Sequence, residues 1–116
     1  MDKKVKKAVE EFVGGVKKLG VEKIILYGSA ARGEYVPHES DIDILIVGER
    51  RKKTYGKLLD IQADVGLKYN TAFSVIMKTV REFQNEWKLG SPFIEEVVKE
   101  GEFLYQKNFD TQNFNS

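Results

Sequence analysis

The sequence predicts an α/β (α+β) protein, a small mixed sheet of three to four strands covered by helices. Three observations carry this. Short Ile- and Val-rich runs of strand length alternate with stretches whose apolar residues recur by threes and fours. Glycine punctuates most of the joins. The first two strand-like runs are joined only by residues 28–40, too short for a full crossover helix, so an antiparallel pair and a mixed sheet are expected.

Taken in order, Asp2 is placed to cap a first helix with Val5, Ala8, Val9, Phe12, Val13, Val16 and Leu19 on one face, and Gly20 is placed to end it. Residues 22–27 read as a strand and 28–33 as a tight turn or short helix. Residues 34–40, with Pro37 and His38, read as a loop, and 41–47 as a second strand ended by Gly48. The basic run 50–53 precedes a helix with Tyr55, Leu58, Leu59, Gln62, Val65 and Tyr69 near one face. After a turn at Asn70-Thr71, residues 72–77 read as a third strand. Thr79 and Glu82 form a capping-box pattern ahead of Val80, Phe83 and Trp87. Ser91-Pro92 opens a last helix with Ile94, Val97 and Val98 toward the core; Gly101 stops it, and 102–106 read as a short edge strand. Residues 1–107 are therefore expected to form one domain, with 108–116 a polar tail.

The 116 residues carry 19 basic and 18 acidic side chains, a net charge of +1. That leaves no global field to draw nucleic acid or a membrane surface. The absence of cysteine excludes disulfides and thiolate metal sites and fits a cytoplasmic setting. No apolar run approaches the roughly 20 residues needed to span a bilayer, and the opening MDKKVKK has no apolar signal-peptide core.

The chemistry concentrates between Tyr27 and Gly48. Asp41 and Asp43 stand one residue apart at a strand start, so their side chains share one face about 7 Å apart, while Ile42, Ile44 and Ile46 take the core face. Two carboxylates so placed repel unless a cation lies between them, and Mg²⁺ accepts a few carboxylate oxygens together with substrate phosphates. A solvated strand edge is the plain alternative for the pair alone. Gly28-Ser29 adds to it a glycine-opened turn after a strand, whose N–H groups and hydroxyl suit a phosphate. Together the two features lay out nucleoside triphosphate chemistry.

Gly28-Ser29, Ala31-Arg32-Gly33 and Ser40-Asp41-Ile42-Asp43-Ile44 resemble the signature of the minimal nucleotidyltransferases, of the DNA polymerase β-type nucleotidyltransferase superfamily. The resemblance covers most of the chain, from the first helix to Tyr105. It implies a three-stranded mixed core sheet and transfer of a nucleoside monophosphate, AMP from ATP, to an acceptor hydroxyl. It implies Gly28 and Ser29 as triphosphate-binding residues, and Asp41 and Asp43 as catalytic ligands of Mg²⁺. It implies a toxin–antitoxin setting, with a HEPN-domain ribonuclease as protein partner and acceptor; homo-oligomerisation stays open. The resemblance also implies a third carboxylate on the next strand, where this chain has Ser74, which points to the second reading of a weakened enzyme that neutralises a partner by masking it. Asp60 and Asp64, on a helix, are poor substitutes.

The remaining candidates are weaker. His38 has no second His or Cys to join it and reads as a loop residue. Arg32 is open to a phosphate or to pairing with Asp41 or Glu34. The 50–53 run reads as a solvated loop rather than a nucleic-acid contact, and Tyr27 and Trp87 as core aromatics rather than base-stacking platforms.

Overall fold

A computed structural model of the chain describes residues 2–107. Helix α1 (Lys3–Val16) starts where Asp2 accepts the N–H groups of Lys4 (2.7 Å) and Val5 (3.2 Å), and a 3₁₀ turn carries it to Gly20 in the left-handed conformation. Strand β1 (Lys23–Tyr27) runs directly into the short helix α2 (Gly28–Arg32). Then follow β2 (Ile42–Val47), α3 (Lys52–Tyr69), β3 (Phe73–Lys78), α4 (Val80–Lys88), α5 (Pro92–Glu100) and β4 (Glu102–Gln106).

The sheet order is β3-β2-β1-β4. β1 pairs antiparallel with β2 and β4, and β2 pairs parallel with β3, so the mixed sheet read from the sequence is realised with four strands. The parallel pair is possible because α3 supplies the crossover. The expected tail, 108–116, lies outside the described residues.

Both faces of the sheet are covered. Ile42, Ile44, Ile46 and Phe73 pack on α1 and α3, where the Phe12 and Phe73 rings stack at 4.7 Å. Ile25, Leu45 and Val47 pack with Phe83 of α4 and with Ile94 and Val97 of α5. This corrects the view of the aspartate face as the polar side of the strand. It is polar only at its start; from Leu45 onward it is a second core. A fully buried β2 needs apolar residues on both faces, which its run Ile44 to Val47 provides.

One boundary and two burial assignments also change. β2 begins at Ile42, not Asp41, because β1 ends at Tyr27 opposite Asp43 and the β3 ladder begins at Ile42. On α3, Leu58 and Val65 are buried, but Tyr55 and Leu59 are exposed, since α1 covers only a narrow stripe of this helix. Trp87 is about half exposed, laid edge-on against Phe83 at 5.8 Å, rather than a core residue.

Candidate active site

Three strands bring Tyr27, Asp43 and Ser74 into one row. Tyr27 lies opposite Asp43 across the antiparallel β1–β2 pair, and Ser74 lies beside Asp43 in the parallel β2–β3 pair. The row stands on the sheet face covered by α5, whose Phe93 meets the Tyr27 ring edge-on at 5.3 Å. Asp41 is exposed just ahead of β2. The loop before it is shaped by a turn in which the Val36 carbonyl accepts the N–H groups of Glu39 (3.1 Å) and Ser40 (2.9 Å). Pro37 leads that turn and His38 takes the left-handed φ of 67°, the pattern of a type II turn.

Gly28 fixes the distance between α2 and the carboxylates. Its φ is +71°, and a Cβ there would collide with Asp43 Oδ2. The glycine therefore serves two needs at once: a left-handed turn out of β1, and room for the Asp43 carboxylate against the helix start. Tyr27, at the N-cap, offers no capping side chain to the first-turn N–H groups of α2. Ser29 follows, partly buried.

The electrostatics agree with the geometry. Burial and the neighbouring Asp41 push the Asp43 carboxyl above its usual range, and Arg32 partly offsets them. Burial, then Asp43 and Glu96, raise the Tyr27 phenol to about 12, so it remains a neutral hydroxyl at any physiological pH. Arg32 is held by Glu34 and reaches Glu96 Oε1 on α5 at 3.8 Å. Of the open alternatives for Arg32, the Glu34 pairing is the one seen here.

The sequence thus located Gly28, Ser29, Asp41 and Asp43 at one end of the sheet. It missed Tyr27 as the direct neighbour of Asp43, and Glu96 and Phe93 as the α5 contribution. Tyr27 was within reach: a β1 ending at Gly28, paired with a β2 carrying Asp43 near its start, puts the last β1 residue opposite the aspartate. The α5 residues carry no such signal, because which face a helix covers is set by the whole topology. Asp60 and Asp64 lie exposed on α3, as expected. Arg50 of the basic run donates to the Met77 carbonyl at 3.0 Å and pairs with Glu82 at 3.0 Å, so it is tied down within the fold.

The comparisons with known proteins bear on this arrangement. Residues 3–105 match the nucleotidyltransferase domain family. The chain belongs to that family. Two relatives from Methanocaldococcus jannaschii both bear the name putative protein adenylyltransferase. One is 38% identical over 102 residues, spanning 85% of this chain and 96% of the relative. The other is 34% identical over 85 residues, spanning 70% and 76%. A crystal structure of a mutant MntA–HpeT toxin–antitoxin shares the fold of this nucleotidyltransferase, with a TM-score of 0.52 at 16% identity over 94% of this chain and 78% of that one.

Nucleotidyltransferases generally use a divalent metal and a nucleoside triphosphate. The residues present fit such a cation in donor type: two carboxylates at the mouth of a sheet, one pressed against a glycine that leaves the space free. Among the described residues no cluster of three or more acidic, His or Cys side chains joins them, and Ser74 occupies the neighbouring register position. Two carboxylates are enough where substrate phosphates complete the coordination. Among the described residues no helix is long and apolar enough to cross a membrane.

Proposed function

We propose that this nucleotidyltransferase transfers AMP from ATP to a hydroxyl on a partner protein, and that the partner is the HEPN-domain ribonuclease of a toxin–antitoxin pair. The observation that carries the site is the contact of Gly28 with Asp43, which sets a glycine-opened helix start directly against a carboxylate. The names of the two archaeal relatives support a protein acceptor. The toxin–antitoxin assembly to which the fold neighbour belongs supports the biological setting.

Gly28 and Ser29 receive the triphosphate on the N–H groups at the start of α2. Asp41 and Asp43 would hold Mg²⁺, which supplies charge neutralisation at the α-phosphate and the leaving pyrophosphate. The acceptor oxygen forms a bond to the α-phosphorus as the bond to pyrophosphate breaks, with the electron pair leaving on pyrophosphate. The hydroxyl proton passes to solvent, since Ser74 is no base. Lacking a positioned base costs about 10²–10⁴-fold, so transfer is slow and geometry does most of the catalysis.

Incubation with Mg-ATP and the purified HEPN-domain partner, followed by intact mass measurement, is the direct test. One AMP increment on the partner, lost with Asp41→Asn or Asp43→Asn, is the expected result. A partner that binds but gains no mass would sink the proposal. Ser74 beside Asp43 favours one alternative: a weakened enzyme that neutralises its partner by masking. Neutralisation that survives both Asn substitutions would select it.

A further inference from the structure

The Tyr27 hydroxyl is a polar group beside the carboxylates to which the transfer reading gives no task. Tyr27 ends β1 immediately before Gly28, at the junction of strand and helix. It lies opposite Asp43 in the antiparallel pair, and directly opposed side chains share one face of a sheet. Its ring is partly buried against the second core, where Phe93 of α5 meets it edge-on at 5.3 Å. α5 is itself seated closely on β1, since a Cβ at Gly101 would lie 2.9 Å from Ile25 Cγ2. Strand and helix together therefore hold the ring in place.

The hydroxyl at its tip is held by nothing. It has no hydrogen-bond partner among the described residues, and it is not among the buried unpaired groups, so solvent reaches it. Asp43 and Glu96 both act on it electrostatically, yet it donates to neither. Glu96 turns instead to Arg32 Nη1, at 3.8 Å. For packing alone a phenylalanine would serve here. What the tyrosine adds is one neutral O–H donor, fixed by its ring and open to a ligand. Phosphate oxygens offer only lone pairs, and an O–H donor suits them without competing with a cation for Asp43, as a lysine or arginine would.

We infer that Tyr27 Oη donates a hydrogen bond to a non-bridging oxygen of the bound triphosphate, between the Gly28 turn and the Asp43 carboxylate. Phe93 is a positioning residue that acts through the Tyr27 ring. The inference rests on the transfer reading above for the place of the triphosphate. It adds a donor from the β1 end to those at the start of α2.

The test compares wild type with Tyr27→Phe, which deletes the hydroxyl and keeps the ring. Calorimetry gives the affinity for Mg-ATP. Displacement of Mg-ATP gives the affinity for Mg-tripolyphosphate, which has the phosphates but no nucleoside. Tyr27→Phe should weaken both by about tenfold, the effect of losing one hydrogen bond to a charged group. Its melting temperature should not fall, because no hydrogen bond within the protein is lost. Phe93→Leu should weaken both ligands by a smaller factor. The double variant should bind no more weakly than Tyr27→Phe alone, because Phe93 acts through the hydroxyl that is already gone.

Affinities equal to wild type in Tyr27→Phe overturn the inference. A loss confined to Mg-ATP also overturns it, by setting the phenol against the nucleoside, and so does a wild-type chain that binds no Mg-tripolyphosphate. Losses that add in the double variant overturn the part given to Phe93. Weakened binding in Tyr27→Phe, with a wild type that binds Mg-ATP yet adds no AMP to its partner, refutes the transfer reading and leaves the phosphate contact standing. Unchanged binding with AMP on the partner does the reverse.

Discussion

Asp43 is charged in a place that discourages charge, and the consequence can be measured on the metal-free protein. Its carboxyl is raised above the unfolded value of an aspartate by burial and by Asp41. A raised acid binds its proton more tightly in the folded state than in the unfolded state. The contribution of this group to stability is therefore greatest below the unfolded pKa and is lost as pH rises through the folded one. Asp43→Asn should relieve this, stabilising the protein at pH 7 by at most about 1 kcal/mol, since a partly exposed group is screened. The gain should vanish in acid. Thermal melts of both proteins between pH 3 and pH 7 compare the two directly. Gly28 makes the complementary prediction. Gly28→Ala forces a side chain into left-handed backbone and against Asp43, and should cost about 1–2 kcal/mol from the backbone term alone. Urea unfolding gives the stability change, and the nucleotide affinity of the folded fraction should fall with it.

At the scale of the element, the caps were the most legible part of the chain. Asp2, the Thr79–Glu82 capping box and Ser91-Pro92 all stand where the residue pattern put them, because a cap is a contact between near neighbours in sequence. The Thr79 side chain accepts the Glu82 N–H at 3.1 Å, and Glu82 accepts the Thr79 N–H at 2.8 Å. Thr79→Ala should destabilise by about 1 kcal/mol, read from the urea midpoint at constant slope. What the pattern missed is long-range. Strand alternation puts Leu45 and Val47 on the Asp43 face, yet nothing local says that α4 and α5 return to bury that face. Gly101 marks how tightly they do: a Cβ there would meet the Val97 carbonyl and lie 2.9 Å from Ile25 Cγ2 of β1. For the same reason the α3 stripe was read too wide, since its width depends on what α1 covers.

At the scale of the whole molecule, the site is a row drawn across three strands from distant parts of the chain. Ser74 is the member of that row where a third carboxylate would stand beside Asp43. Ser74→Asp adds a carboxylate in register beside Asp43. Like charges on neighbouring strands are unfavourable by roughly 0.2–1 kcal/mol, so the metal-free variant should be slightly less stable. Its Mn²⁺ affinity, followed by electron paramagnetic resonance, should rise by about tenfold or more as a third anionic ligand joins the pair. An unchanged affinity would mean that Ser74 does not face the metal. Partner modification should also quicken, if the added group serves as base.

The sheet order has one more consequence. Asp43 and Tyr27 belong to β2 and β1, the two inner strands, while β3 and β4 form the rims. Rim strands are where a sheet can be extended, by another strand or by a helix laid alongside. A body built this way can acquire new partners or appended domains at either border while its paired centre stays rigid. Extension along β4 would leave the Tyr27–Asp43–Ser74 row untouched, whereas extension along β3 would come up beside Ser74.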